Sequence, residues 1–136
     1  MLDASAAVAW LVAGQNTPSS DALLEQAHLH DFEAPHIFPV EVRNALLKIE
    51  RVRRSDPALT AEALEAFARY NIEIEAPPAQ PTDGAILDLA RSEGLSVYDA
   101  LYFWHALRKG LALATRDGGL LAAATSRGLN TFDLRR

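Results

Sequence analysis

The sequence of 136 residues contains no cysteine. That excludes disulfides, thiolate zinc sites and iron–sulfur clusters. It also suits a reducing compartment, so a cytoplasmic location is expected. No long hydrophobic run is present either. The apolar stretch at 4–13 falls far short of the ~20 residues that span a bilayer, and no basic leader precedes it, because the third residue is Asp3. No membrane association is expected. Basic charge is not in excess: 13 Lys and Arg stand against 18 Asp and Glu, giving a net charge of −5 and a pI near 5.3. This balance argues against a protein that coats nucleic acid electrostatically. It leaves room for an enzyme that touches a few nucleotides and needs surplus carboxylates.

Further absences narrow the chemistry. Ala4-Ser5-Ala6-Ala7 stands where a nucleotide-binding fold would carry a glycine-rich loop. The four histidines, His28, His30, His36 and His105, lack zinc-ligand spacing, and no nucleophilic triad can be assembled. There is no repeat, no low-complexity tract and no interdomain linker. The nearest candidate, Ala76-Pro77-Pro78-Ala79-Gln80-Pro81, is short and reads as a loop before a helix. Residues 1–136 therefore read as a single domain, and 49% hydrophobic with 23% charged residues is a globular composition.

What is present alternates. Residues 1–3 read as the end of a strand and 5–13 as a helix; 19–29 is amphipathic, and a short extended piece lies near 32–34. Residues 39–53 form a strong helical pattern, with Val42, Leu46, Ile49 and Val52 at helical spacing. A second helix is expected at 60–70 with Thr60 as its N-cap. A strand follows at 72–74, then helices at 83–93 and 97–109, each ended by a glycine. A buried strand at 111–114, a helix at 119–127 and a strand at 130–134 complete the chain. Such alternation implies βαβ units, an α/β fold in three α/β/α layers around a central, mostly parallel sheet of four to five strands. Ligands in such folds bind at the carboxyl ends of the strands.

Four acids map to that edge. Asp3 follows the first strand and Asp117 the strand at 111–114, while Glu41 and Asp99 sit in the first turns of helices. Each has an ordinary structural reading. Asp3 and Asp117 are natural caps or turn residues, Glu41 complements a helix dipole, and Ser96-x-x-Asp99 matches a capping box. Together they read differently, because converging carboxylates repel one another unless a cation is bound. Oxygen donors of this kind suit Mg²⁺ or Mn²⁺. Ser5 and Thr115 each stand two residues from an acid, placed to brace it or to meet a phosphate.

The carrying segments are Leu2-Asp3-Ala4-Ser5-Ala6, Val40-Glu41-Val42-Arg43-Asn44-Ala45-Leu46, Ser96-Val97-Tyr98-Asp99-Ala100-Leu101-Tyr102 and Leu113-Ala114-Thr115-Arg116-Asp117. In order, spacing and chain length they resemble the PIN-domain ribonucleases, and within them the VapC-type toxins of toxin–antitoxin pairs. The resemblance implies that Asp3, Glu41, Asp99 and Asp117 hold Mg²⁺, with Mn²⁺ as the other candidate. Ser5 and Thr115 match hydroxyl positions beside them, and Asn44 a polar position after the glutamate. It further implies cleavage of single-stranded or loop RNA to 5′-phosphate and 3′-hydroxyl ends, a homodimer, and a cognate antitoxin that silences the groove. One departure stands out: only Met1 and Leu2 precede Asp3, where the family usually carries a longer apolar strand.

The expected activity is thus that of an Mg²⁺-dependent endoribonuclease, hydrolysing phosphodiesters by a metal-activated water. Glu41 is left with three roles: direct ligand, ligand through water, or aid in deprotonating the nucleophile. Arg43, Lys48 and Arg116 are the candidates for holding RNA, with Arg51, Arg53 and Arg54 beyond them; a solvated helix end explains the 48–54 cluster equally well. Within 97–109, Val97, Ala100, Leu101, Trp104 and Leu107 form the expected buried stripe, leaving Tyr98 and Tyr102 for the surface or a dimer contact. The rivals are a metal-dependent phosphatase or phosphotransferase, which would want an acid where Ser5 stands, and a PIN-like interaction scaffold without catalysis.

Overall fold

The computed structural model describes residues Met1–Arg136. Seven helices alternate with short strands. They are α1 (Ala4–Leu11), α2 (Pro18–Glu25), β1 (Phe32–Ala34), α3 (Phe38–Arg53), α4 (Pro57–Phe67), β2 (Ile72–Ile74), α5 (Gln80–Glu93), α6 (Val97–Lys109), β3 (Leu113–Thr115), α7 (Gly118–Ser126) and β4 (Thr131–Asp133), with one 3-10 turn at Ala27–Leu29. All strand pairing is parallel, in the α/β manner expected. No helix is long and apolar enough to cross a membrane.

The sheet departs from expectation in its continuity. It forms as two parallel pairs, β1 with β2 and β3 with β4, each strand three residues long. Residues 1–3 lie between the pairs. The Leu2 amide donates to the Glu33 carbonyl at 2.8 Å, the Asp3 amide to Ala114 at 3.0 Å, and the Ala114 amide to Met1 at 2.9 Å. Leu2 and Ala114 form one parallel bridge rather than a full ladder. With so few residues ahead of Asp3 engaged, the central position is filled by a bridge where a longer strand would make a ladder.

Side-chain chemistry explains most helix boundaries. Thr17 caps α2, accepting from the Ser20 amide at 3.1 Å. The start of α4 corrects the expectation at Thr60. Asp56 is its N-cap, accepting from the Ala58 amide at 2.9 Å, and Pro57 takes the first helical position, where its missing N–H costs nothing. Thr60 lies inside the helix and donates to Glu50 Oε2. Likewise α5 begins at Gln80 with Pro81 in its first turn, so the proline segment is partly helix. Gly94 and Gly110 take left-handed C-cap conformations after α5 and α6.

The helices pack in two groups. α1 contacts α2, α3 and α4, while α6 contacts α5 and α7, and both α1 and α7 lie against β3. Between them Leu2, Phe38, Phe103, Leu113, Leu120 and Leu134 are fully buried. Because α6 packs against two helices, a single stripe does not describe it. Ala100, Leu101, Tyr102, Phe103, His105 and Ala106 are all buried, whereas Val97 is half exposed. Trp104, expected in the core, is only partly buried, and the Arg108 guanidinium lies 4.9 Å over its ring.

Leu2 is the side chain on which this arrangement should lean most heavily. Leu2→Ala deletes a fully buried side chain at the junction of the strand pairs, and an unfolding titration in urea is expected to register a loss of about 2–5 kcal/mol. A loss below about 1 kcal/mol would mean the two halves hold together without this contact.

Candidate metal-binding active site

Every sequence-predicted acid sits at a chain feature that holds it in place. Asp3 follows the central bridge and opens α1, yet its side chain makes no helix-capping bond. Its Oδ2 instead accepts from Ser5 Oγ at 2.7 Å and from Thr115 Oγ1 at 2.6 Å. Those hydroxyls are fixed in turn by backbone: the Arg116 amide donates to Ser5 Oγ and the Asp117 amide to Thr115 Oγ1, both at 3.0 Å. The two hydroxyl protons are thereby committed to Asp3 and are not free for a phosphate.

Asp99 lies in the first turn of α6, where Ser96 is the N-cap. The Ser96 hydroxyl accepts from the Asp99 amide at 3.0 Å and donates to Asp99 Oδ2 at 2.7 Å. The reciprocal capping box is therefore not the bond formed, since the carboxylate takes the hydroxyl instead of the Ser96 amide. Asp117 does cap α7, its Oδ1 accepting from the Leu120 amide at 2.7 Å. Glu41, in the first turn of α3, accepts from the Tyr102 hydroxyl at 2.5 Å. In each acid one oxygen is thus engaged, while Asp3 Oδ1, Glu41 Oε1, Asp99 Oδ1 and Asp117 Oδ2 accept no side-chain hydrogen bond.

The electrostatics bring the four together. Burial pushes the Asp3 carboxyl above its ordinary range; the Thr115 and Ser5 hydroxyls oppose this and the Asp117 charge adds to it. Glu41 is raised by burial, opposed by the Tyr102 hydroxyl and reinforced by Asp3 and Asp99. Asp99 is raised by burial, opposed by Ser96 and reinforced by Asp117 and Asp3. Mutual elevation is what carboxylates show when they share a space without a compensating charge. No three acidic or imidazole side chains stand close enough to hold a metal ion together in this conformation. The acids run from the buried Asp3, at 7% exposure, through the half-buried Glu41 and Asp99 to the surface at Asp117.

The remaining predicted positions are less concentrated. Asn44 lies one turn beyond Glu41 on α3, exposed and without a partner in the chain. Arg43 donates back to the Pro39 carbonyl at 2.9 Å, and Lys48 is exposed further along the same helix. The Arg116 guanidinium turns to Gln15, reaching its carbonyl at 2.9 Å. Sequence reasoning missed Tyr102 as part of the site. Tyr98 is exposed at 62% as expected, but Tyr102 is fully buried. The signal was its spacing: Ser96, Asp99 and Tyr102 recur every three residues and so share a face of α6.

Residues 1–125 match the PIN domain family model. Over 87 residues, 64% of this chain, the sequence is 36% identical to exonuclease VapC9 of Pyrobaculum aerophilum, and the match covers 62% of that protein's length. Among solved structures, PAE2754 from Pyrobaculum aerophilum superposes over 90% of this chain and 82% of its own, with a TM-score of 0.69 and 28% identity. FitAcB from Neisseria gonorrhoeae shares the fold over 99% of this chain and 97% of its own, with a TM-score of 0.60 and 22% identity. A family model matching nearly the whole chain means that this chain belongs to the PIN-domain family.

Proposed function

We propose that the chain is a metal-dependent endoribonuclease, the toxin of a toxin–antitoxin pair acting in the cytoplasm. The observation that carries this reading is the set of four acids, Asp3, Glu41, Asp99 and Asp117, three of which are held above their ordinary proton affinity partly by one another's charge. A site kept in that condition is suited to a cation, and hard oxygen donors with one free oxygen each suit Mg²⁺ or Mn²⁺. When bound there, such an ion would supply Lewis-acid activation of the attacking water and neutralise charge on the scissile phosphate.

The chain's own residues do the rest. Ser5 and Thr115 hold Asp3 in a single orientation, Ser96 does the same for Asp99, and the α7 N-terminus fixes Asp117. Asn44, beside Glu41 and unpartnered, is placed to meet the RNA. Arg43 and Lys48 extend that contact along α3, and Arg116 completes it once it leaves Gln15. A cognate antitoxin and a homodimer complete the proposed assembly, on the strength of the resemblance to VapC-type proteins. The relative's name, an exonuclease, favours a second reading in which cutting proceeds from an end.

Incubating purified protein with pooled single-stranded RNA and Mg²⁺ or Mn²⁺ tests the central claim. EDTA is expected to abolish cutting, and Asp99→Asn to slow it by about a hundredfold or more. A circular single-stranded RNA separates the two nuclease readings, since only an endonuclease linearises it. Folded protein, free of antitoxin, that cuts neither substrate would return the chain to the scaffold reading.

Stability against pH gives an independent check. Raised carboxyl groups leave the folded chain holding more protons than the unfolded chain, above the ordinary value of 3.8 for Asp3 and Asp99. Stability contributed by these groups therefore falls as pH climbs from that value, and the cost is full once pH has passed their raised folded-state range. Without divalent cation, Asp99→Asn is expected to melt higher than wild type near pH 7.5, the gain vanishing as pH falls below 3.8. A gain that is constant with pH would assign the effect to packing rather than charge.

A further inference from the structure

The Tyr102 hydroxyl stands out because its ring is fully buried while it donates to an acid of the site. It joins residues 61 apart in sequence, on α3 and α6. Both helices contribute to one buried core, Val42 and Leu46 from α3 and Tyr102, Phe103 and Ala106 from α6, and this bond adds a polar link between them. A buried phenol requires a hydrogen-bond partner, and Glu41 Oε2 accepts its proton. The consequence for Glu41 is that Oε2 is engaged while Oε1 accepts no side-chain hydrogen bond, in a carboxyl that feels the charges of Asp3 and Asp99.

We infer that Tyr102 is a positioning residue, holding Glu41 so that it presents a single oxygen, Oε1, to a bound divalent cation. This rests on the nuclease reading above and deepens it, because it names the residue that orients Glu41 toward the cation. The same logic runs through the site. Asp3 is braced on one oxygen by Ser5 and Thr115, and Asp99 by Ser96. Tyr102 supplies for Glu41, from a neighbouring helix, what those acids receive from nearby hydroxyls. One face of α6 thus sets two of the four acids, Asp99 carried directly and Glu41 through the phenol.

Tyr102→Phe keeps the buried ring and removes only the hydroxyl. Titrating the metal-free full chain with Mn²⁺, followed by calorimetry or by the spin signal of free Mn²⁺, is expected to show affinity weakened by about tenfold or more. Tyr98→Phe, at an exposed position on the same helix, is the control and should bind as wild type does. In a Glu41→Gln background, the further effect of Tyr102→Phe should shrink below about twofold, because a residue acting through Glu41 has nothing left to position. That background also removes a disfavoured charge, so it keeps the comparison within folded protein should the single variant melt early. Wild-type affinity in Tyr102→Phe, or an equal loss in both backgrounds, overturns the role of Tyr102 and leaves the nuclease reading standing. A wild-type chain that binds no Mn²⁺ overturns both.

Discussion

Everything in this fold hangs on the backbone of residues 1–3. Each strand pair taken alone is too small to be stable, since isolated two-stranded elements are marginal in water. The Leu2 amide reaches β1 on one side, and the Asp3 amide and Met1 carbonyl reach β3 on the other. Three residues therefore make one layer out of two pairs. The same constraint fixes the chemistry, because the next side chain along, Asp3, is delivered to the C-terminal edge between the pairs. Burying a carboxylate there is unfavourable, and the Ser5 and Thr115 hydroxyls offset part of it. Fold and site are not separable: a shift of the bridge by one residue would turn Asp3 to the other face of the layer.

The cost of gathering acids shapes their surroundings. A protein selected for stability alone would not keep Asp3, Glu41 and Asp99 within range of one another's charge. Active sites commonly carry this kind of destabilisation. Here it is contained by fixing one oxygen of each acid, with two donors for Asp3 and one for each of the others, from residues whose own positions are set by backbone or burial. The donors differ, being neighbouring hydroxyls for Asp3 and Asp99, a helix amide for Asp117 and a phenol from another helix for Glu41. What they share is that the opposite oxygen is left uncommitted.

The legible parts of the sequence were those governed by local rules. Acids just after strands or in helix first turns are visible because the same few positions of any βαβ unit face one edge, so Asp3, Glu41, Asp99 and Asp117 could be collected before any geometry was known. Glycines after α5 and α6 marked their ends for the same reason. Less legible were features that depend on what an element packs against. Periodicity assumes one buried stripe, whereas α6 lies against both α5 and α7, and this brought Tyr102 inside and left Val97 half exposed. The start of α4 was readable but overruled by a weaker signal: Asp56-Pro57 is a stronger opening than Thr60, whose hydroxyl went to Glu50. The divided sheet was not readable at all, because pattern says which segments are strands and nothing of whether their ladders are continuous.

Charge along α3 limits how such a site can hold a polyanion. That helix carries Arg43, Lys48, Arg51 and Arg53, with Arg54 as its C-cap, in a chain whose net charge is −5. Two of these also bond to backbone carbonyls, Arg43 to Pro39 and Arg53 to Ala13 at 3.0 Å, and keep their charge. Lys48, Arg51 and Arg54 are exposed and unpaired. Even with Arg43 and Arg116 added, these cations neutralise only a few phosphates, and counterion release from so few contacts yields weak, salt-sensitive binding. On the nuclease reading, affinity for RNA backbone alone cannot select a target. Selection would have to come from the shape of the RNA, since phosphate contacts carry no sequence information.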